Sequence, residues 1–230
     1  MKRSWCLSGK PDAGFVAAME DVLDVYARPI DPLRPLVCFD ESGKALRGDV
    51  RPSQPAGPGH ALREDPAYIR HGSANLFLWC APHLGQRGIT VTERRTRVDW
   101  AVAMRHLVDE VFPTAERIVV VLDNLNIHAD HSLYAAFPPR EAKRIRDKLE
   151  LHYTPKHASW LNIAELEFSA LVRQCLDQRI PTPTDLQQAV DAWTTRRNSR
   201  AKPVQWHFMV EHARIKLRRL YPVPELDTSC

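Results

Sequence analysis

The chain has 230 residues and a hydrophobic content of 44%, which is enough for one large globular domain with a buried core. Its formal net charge is +4 and its isoelectric point is about 8.9, which is weak evidence for a nucleic-acid partner. Five scattered cysteines lack the spacing of a zinc site or a disulfide framework, and no stretch approaches the roughly 18 apolar residues of a membrane span. We therefore expect a soluble, cytoplasmic protein without disulfides.

Apolar spacing and breaker residues predict the elements in chain order. Helical spacing over residues 15–27 predicts a leading helix, and Gly and Pro residues make 42–66 too broken for regular structure. The predicted strands cover residues 35–40, 75–80, 88–92, 118–123 and 151–154, and the other predicted helices cover 99–112, 140–149, 162–177 and 184–197. The order β-β-β-α-β-α-β-α, followed by C-terminal helices, indicates an α/β fold.

Three acidic residues occupy positions that suit a metal site. Asp40 and Asp123 each end an apolar run, and Glu165 lies in a later helix. An Asp at the end of a buried strand comes to the edge of the sheet, where ligands bind. Carboxylates that meet there repel one another unless a cation lies between them, so the three acids predict a divalent-metal site. Each of them taken alone is equally typical of a turn or a helix surface.

The direction of the Glu165 side chain follows from helical geometry at about 100° per residue. Val172 and Leu176 fall within roughly 20° of Glu165, which places it in the apolar stripe, whereas Glu167 falls roughly 160° away on the solvent side. A carboxylate that faces the sheet costs several kcal/mol unless it is paired or binds a metal. We therefore expect Glu165 to be functional and Glu167→Ala to have almost no effect.

Polar residues follow Asp123 in the chain, among them Asn124 and His128. They suit the positioning of a phosphate or a water, although an Asp-Asn pair is also favoured in an ordinary turn. His128 with Asp130 and His131 raises zinc as an alternative metal. Hard oxygen ligands on separate elements favour Mg²⁺ or Mn²⁺ instead, and the chain has no His-Glu-x-x-His motif.

A basic segment lies near the C-terminus. Residues 196–219 carry eight Lys and Arg residues against the single acid Glu211, with aromatic and histidine side chains between them. Such a segment suits contact with nucleic-acid phosphates. A solvated helix face is the alternative explanation of a charge run, so the segment gains weight only from the acidic residues.

Several motifs around these residues occur in a specific order. They are Phe39-Asp40-Glu41, then Val121-Leu122-Asp123-Asn124 with His128, then Tyr153-Thr154-Pro155-Lys156-His157 and Trp160-Leu161-Asn162 with Glu165 and Ser169, then 173–176 and 213–217. In this order they resemble the DDE superfamily transposases, in particular the bacterial insertion-sequence branch related to mariner elements. The resemblance covers nearly the whole chain, and Trp-Leu-Asn-x-x-Glu is its most specific motif.

The resemblance implies a ribonuclease-H-like fold, with a mixed sheet of about five strands and helices on both faces. It implies that Asp40, Asp123 and Glu165 bind two Mg²⁺ or Mn²⁺ ions roughly 3.5 to 4 Å apart and catalyse DNA strand cleavage and strand transfer. The implied partners are double-stranded DNA and a second copy of the chain. The residues expected to contact DNA are Asn124, His128, Lys156, His157, Arg173, Arg214, Lys216 and Arg218.

We expect three parts in the chain: a lead-in segment with a short helix over residues 1–34, the catalytic domain over 35–200 and a basic tail over 201–230. Members of the family carry helix-turn-helix domains ahead of the core. We therefore interpret the chain as a separate reading frame with that half supplied separately, as a fragment whose DNA-binding half lies elsewhere, or as a decayed copy. A catalytically silent DNA-binding or assembly remnant and a housekeeping ribonuclease-H-like nuclease stay open as alternatives. The presence of all three acids favours an active enzyme.

Overall fold

The computed structural model describes residues 10–223 with the exception of 53, 62 and 64. Its strands are β1 (Leu36–Asp49), β2 (Tyr68–Ala81), β3 (Gln86–Thr92), β4 (Ile118–Leu122) and β5 (Leu149–Tyr153). They form one sheet in the order β3-β2-β1-β4-β5. β1, β2 and β3 pair antiparallel, whereas β1, β4 and β5 pair parallel. The mixed five-stranded sheet is therefore the one that the sequence predicts.

The helices are α1 (Ala13–Ala27), α2 (Arg97–His106), α3 (Asp130–Ala136), α4 (Pro139–Asp147), α5 (Ile163–Leu171), α6 (Pro183–Asn198) and α7 (Val210–Lys216). π-helical turns continue α2 over Leu107–Val111 and α5 over Val172–Leu176. Two helices, not the single one predicted, join β4 to β5, because Phe137 before Pro138 is extended and ends α3. None of the helices in the described part of the chain is long and apolar enough to cross a membrane.

The first strand is longer than predicted. It does not end at Asp40 but continues to Asp49, because β2 pairs with it from Cys38 onward. Its parallel neighbour β4 pairs only with residues 36–38. Asp40 therefore lies where β1 extends beyond β4, at an edge of the sheet although not at the end of its strand. The irregular stretch correspondingly shrinks to the segment between β1 and β2, whose described residues form isolated bridges from Gln54 to Arg63 and from Gly57 to His60.

Helices cover both faces of the sheet, as expected. Helices α1, α5, α6 and α7 pack on the face that carries Cys38 and Val121, which we call the α5 face. Helices α2, α3 and α4 pack on the opposite face, which carries Phe39 and Val120. Because side chains alternate along a strand, even-numbered residues of β1 and odd-numbered residues of β4 point to the α5 face.

The solvent-facing position expected for Glu167 is wrong. Glu167 is 7% exposed, and its carboxylate lies 3.0 Å from Arg87 Nε and 2.9 Å from Arg197 Nη2. The prediction assumed that only the side of α5 with Glu165 is buried. Arg87 of β3 and Arg197 of α6 both contact Glu167, so a second side of the helix is covered. Val172, which the same prediction placed in the apolar stripe, is 49% exposed on the π turn.

This ion cluster makes Glu167 a structural residue. We expect Glu167→Ala to lower the free energy of unfolding by about 3–5 kcal/mol, because it leaves the buried Arg87 guanidinium without its counter-ion. Glu110→Ala is the matched control, since Glu110 pairs with His106 in solvent and such pairs contribute at most about 1 kcal/mol. Chemical denaturation measures both, and equal losses in the two variants would contradict a structural role for Glu167.

Candidate active site

Asp40 and Asp123 come to the same edge of the sheet from neighbouring parallel strands. Asp40 lies two residues beyond Cys38, the last β1 residue that pairs with β4, and Asp123 directly follows the end of β4. Alternation along the two strands directs both side chains to the α5 face. Asp40 is 7% exposed, whereas the side chain of Asp123 is 46% exposed. The strand pairing thus brings the two carboxylates together.

Asn162 positions the third carboxylate by fixing the start of α5. Its side-chain oxygen accepts a hydrogen bond from Ala164 N at 3.1 Å, which caps the helix. Its side-chain nitrogen donates to Phe39 O at 3.0 Å and reaches Asp40 Oδ2 at 3.4 Å. The first turn of α5, which carries Glu165, is therefore attached directly to β1 beside Asp40.

The three carboxylates open into one cavity of about 250 Å³. Three of the residues expected to contact DNA, Asn124, Lys156 and His157, line the same cavity. The full lining is Asp40, Asp123, Asn124, Leu125, Thr154, Pro155, Lys156, His157, Ala158, Ser159, Asn162 and Glu165. A larger cavity of about 540 Å³ lies at the opposite end of β1 and β4, around the loop between α1 and β1, away from these acids.

Burial and mutual repulsion change the acidity of two of the three carboxyl groups. Burial first, and then the charge of Glu165, raise the pKa of Asp40 to about 8. Burial, with the charge of Asp123, also raises the pKa of Glu165, and a hydrogen bond joins it to Asp40. Asp40 therefore retains its proton up to about pH 8 and has that proton available for its hydrogen bond with Glu165. Because the carboxylates at this edge repel one another, a metal ion that binds between them replaces their protons.

Asp123 differs from the other two because a cation lies beneath it. Burial alone would raise the pKa of Asp123, but a hydrogen bond from His128 and its charge outweigh burial and lower it. His128 Nδ1 lies 2.7 Å from Asp123 Oδ1, and His128 Nε2 lies 3.0 Å from Glu41 Oε2. Burial opposes the charge on His128, but these two carboxylates raise its pKa to about 9. The ring is therefore a histidinium between two carboxylates.

The expected contact between His128 and DNA does not fit this geometry. The His128 side chain is 0% exposed, and the carboxylates of Asp123 and Glu41 occupy both of its ring nitrogens. It points to the face of the sheet opposite α5, where it packs against Trp100 and Phe39. His128 supports Asp123 from below and does not face the cavity.

The family comparison gives a decisive match. The family described as DDE superfamily endonuclease matches residues 35–187, which is more than half of the chain. The chain belongs to the DDE superfamily endonucleases. Comparison with curated proteins gives no match.

Solved structures of the mariner transposase Mos1 share the fold of this DDE endonuclease. The Mos1 paired-end complex with Mn has a TM-score of 0.57 and 15% identity, covering 88% of this chain and 63% of that chain. The paired-end complex with Mg has a TM-score of 0.59 and 13% identity, covering 97% and 68%. The isolated Mos1 catalytic domain has a TM-score of 0.56 and 12% identity, covering 96% and 100%. These matches confirm the ribonuclease-H-like fold class. The matched part of the Mos1 chain in the complex with Mn is 63% of its length.

The donor set of the DDE site fits a hard divalent cation. Asp40, Asp123 and Glu165 offer only carboxylate oxygens, which Mg²⁺ and Mn²⁺ prefer. Glu41, Asp123 and His128 form another group of possible ligands, whose ligand atoms lie within 4.8 Å of one another. Its members are joined at hydrogen-bond distances around a protonated ring, so a metal there would first have to displace that proton. The three carboxylates that line the cavity are the better site.

The zinc alternative with Asp130 and His131 is not assembled in the DDE endonuclease. Asp130 forms an ion pair with Arg146 at 2.8 Å, and His131 is exposed at the start of α3. Neither of them lines the cavity with the carboxylates.

Four further residues expected to contact DNA lie away from the cavity. They are Arg173 on the π turn after α5, Arg214 and Lys216 on α7, and Arg218 just beyond it. Arg214 forms an ion pair with Glu20 of α1 at 2.9 Å, and the Lys216 ammonium lies 5.8 Å from the centre of the Phe208 ring. All four are exposed, so a role in contacting DNA would be at a distance from the carboxylates.

The sequence did not predict the roles of two residues at the site, Asn162 and Glu41. Asn162 belongs to the Trp-Leu-Asn motif, but its double function as helix cap and link to β1 depends on the fold. Glu41 directly follows Asp40, and strand alternation was the available signal that it points to the opposite face. There it pairs with His128, 87 positions later in the chain.

The pKa of Asp40 predicts how metal-free stability depends on pH. Because folding raises this pKa from 3.8 to about 8, Asp40 contributes its full stability below pH 4 and loses it as the pH rises to 8. We expect Asp40→Asn to match the wild type near pH 4 and to be more stable by a few kcal/mol at pH 8 in EDTA. Added Mg²⁺ should stabilise the wild type and should not stabilise Asp40→Asn.

Thermal or urea unfolding across this pH range measures the difference. Asp147→Asn on α4, where the side chain is 55% exposed, serves as the control and should follow the wild type throughout. A constant difference between Asp40→Asn and the wild type at all pH values would contradict the raised pKa.

Proposed function

We propose that this chain is the catalytic domain of a transposase that cleaves DNA strands at the ends of an insertion element and transfers them to target DNA. The observation that carries the proposal is the convergence of Asp40, Asp123 and Glu165, from β1, β4 and α5, on one open cavity. Membership of the DDE endonucleases and the fold shared with Mos1 support it. The bacterial cytoplasm is the proposed place of action.

The three carboxylates are the proposed ligands of two Mg²⁺ or Mn²⁺ ions. When bound, such ions activate the attacking water or 3′-hydroxyl and stabilise charge on the phosphoryl group and the leaving oxygen. The chain supplies the fixed positions. The β1–β4 pairing sets the two aspartates, Asn162 sets the start of the helix that carries Glu165, and His128 holds Asp123 in its ionised form.

Neighbouring polar side chains are the proposed contacts to the phosphates around the scissile bond. Lys156 and His157 line the same cavity as the carboxylates and bring positive charge or hydrogen-bond donors to a phosphate. His157 has a positive φ of 63°, so a tight turn holds the pair. Asn124, which follows Asp123, also lines the cavity and is proposed to donate a hydrogen bond to the phosphate.

Duplex DNA is the proposed substrate, and one of the similar Mos1 structures is a paired-end complex of that protein with the left transposon end. The cationic side chains Arg173, Arg214, Lys216 and Arg218 are proposed to contact DNA that flanks the cleavage point. A homodimer is proposed because two element ends must be joined in one reaction. A helix-turn-helix part that recognises the element ends is also proposed to act with this catalytic domain.

Nicking of supercoiled plasmid tests the catalytic proposal. We expect the wild type to nick the plasmid with Mg²⁺ or Mn²⁺ and not with EDTA. Asp40→Ala, Asp123→Ala and Glu165→Ala should each abolish nicking, because each removes a metal ligand. Asp40→Ala and Glu165→Ala should remain folded, since each removes one of the mutually repelling charges, whereas Asp123→Ala should lose some stability because it removes one of the two carboxylates that pair with His128.

Asp147→Ala is the control for the removal of one carboxylate, because Asp147 is exposed on α4 and pairs only with Lys143 among the described residues. It should nick at the wild-type rate. Nicking that survives in Glu165→Ala would remove this residue from the site. A folded wild type that never nicks, with either metal, would favour the catalytically silent remnant.

A further inference from the structure

A second cavity, of about 310 Å³, is lined mostly by cations. It lies between β3, the π turn after α5 and the end of α6, on the α5 face of the sheet. Five basic side chains and a single carboxylate line it, an excess of four positive charges. The lining residues are Arg87, Glu167, Gln174, Arg196, Arg197, Arg200, Lys202, Pro203 and Val204. We call it the cationic pocket.

The base of the cationic pocket is rigid and preformed. Arg87 is 5% exposed, and its guanidinium donates to Asn198 Oδ1 at 3.0 Å, while Asn198 Nδ2 donates back to Arg87 O at 2.8 Å. Glu167 lies between Arg87 and Arg197, at 3.0 and 2.9 Å. The only carboxylate of the pocket is thus engaged by two arginines, and the remaining positive charge faces the opening.

The rim carries cations without counter-ions. Arg196, Arg200 and Lys202 are exposed, and none of the three forms an ion pair with another residue in the described part of the chain. The turn between β2 and β3 holds the rim in place, since a Cβ at Gly85, where φ is +64°, would lie 2.6 Å from the carbonyl carbon of Ala201. Val204 N also donates to Pro82 O at 2.9 Å.

Helix electrostatics account for only part of this charge. Arg196 and Arg197 lie in the last turn of α6, where cations offset the negative end of the helix dipole. Arg200 and Lys202 lie beyond the helix, and Arg87 comes from β3. Guanidinium and ammonium groups that converge from separate elements are the donors that proteins use for phosphate.

The cationic pocket and the carboxylates share helix α5. Glu167, at the base of the pocket, comes two residues after Glu165, or about 3 Å along the axis of α5. The two side chains point to different sides of that helix, so a phosphate in the pocket would be a different one from the phosphate at the carboxylates. A duplex carries phosphates along both strands, and one that delivers a phosphodiester to the carboxylates brings further phosphates to this face.

We propose that the cationic pocket binds a backbone phosphate of the DNA duplex, separate from the phosphate at which the strand is cut. The inference rests on the proposed function, which makes duplex DNA the partner. The pocket holds the duplex against the α5 face, and it does not take part in the chemistry.

The test compares two double variants of matched charge. Arg200→Ala with Lys202→Ala removes two rim cations outside α6, whereas Arg140→Ala with Lys143→Ala removes an Arg and a Lys from α4 on the opposite face. Fluorescence anisotropy with a short labelled duplex in EDTA gives the affinity at a series of salt concentrations. The plot of log affinity against log salt should become shallower by about 0.9 for each DNA phosphate that the variant no longer neutralises.

We expect a shallower slope and weaker binding in the pocket variant and wild-type behaviour in the α4 variant. An unchanged slope overturns the inference, and an unchanged slope with a lower melting temperature assigns the rim a purely structural role. Calorimetry with inorganic phosphate separates the sources of the ligand. Phosphate binding that is abolished only in the pocket variant, together with an unchanged DNA slope, would mean that the pocket takes a free anion.

Plasmid nicking by the same preparations separates this inference from the proposed function. If the wild type nicks the plasmid and both variants have the same slope of log affinity against log salt, only the proposed role of the cationic pocket is overturned. A shallower slope in the pocket variant, when the wild type does not nick with any metal, overturns the proposed cleavage and leaves the pocket as a DNA contact. A wild type that does not bind duplex at all overturns both.

Discussion

Three carboxylates that repel one another are held at one edge of a sheet, and much of the structure around them serves to keep them there. Asp40 projects where β1 runs past the end of β4, and Asp123 stands at that end. Glu165 reaches them from α5, whose first turn is attached to β1 through Asn162. Without a cation this arrangement opposes folding, as the raised pKa of Asp40 records. A site that is strained when empty is one that gains stability when a cation binds.

The surrounding charges give the three acids different acidities. The histidinium of His128 lies beneath Asp123 and keeps it ionised, while burial and the charge of Glu165 keep Asp40 protonated up to about pH 8. Glu41, one residue after Asp40 but on the opposite face of β1, contacts His128 in turn. Strand β1 thus supplies the proposed metal ligand Asp40 to one face and, from the other face, supports the proposed ligand Asp123 through His128, a consequence of strand alternation.

Much of this arrangement could be predicted from the sequence where the signal is local. The apolar runs before Asp40 and Asp123 predict their strands, and the order of elements predicts an α/β fold, while the mixed sheet follows from the resemblance to the DDE transposases. The helical rotation used for Glu165 failed for its neighbour Glu167, because Arg197 of α6 and Arg87 of β3 cover that side of α5. The residues around Glu167 do not predict its ion pair with Arg87, which is 80 positions earlier in the chain.

The same limit applies to the other misplaced residues. The extension of β1 to Asp49 depends on pairing with β2, across a break rich in Gly and Pro that locally predicts a loop. A histidine shortly after Asp123 is a residue type that suits contact with a phosphate. The burial of His128 depends instead on Trp100 and Glu41, which come from distant elements. Long-range pairing decides these features, and a single sequence carries little information about it.

Asp40, Asp123 and Glu165, and not the neighbouring group of Glu41 and His128, are the residues that we propose to hold the divalent cation. Anomalous diffraction from crystals soaked in Mn²⁺ tests this choice directly, since the peak locates the ion without reference to activity. We expect a peak in the cavity, bonded to carboxylate oxygens of Asp40, Asp123 and Glu165. A peak between Glu41 and His128, or a well-ordered cavity without any peak at saturating Mn²⁺, would contradict it.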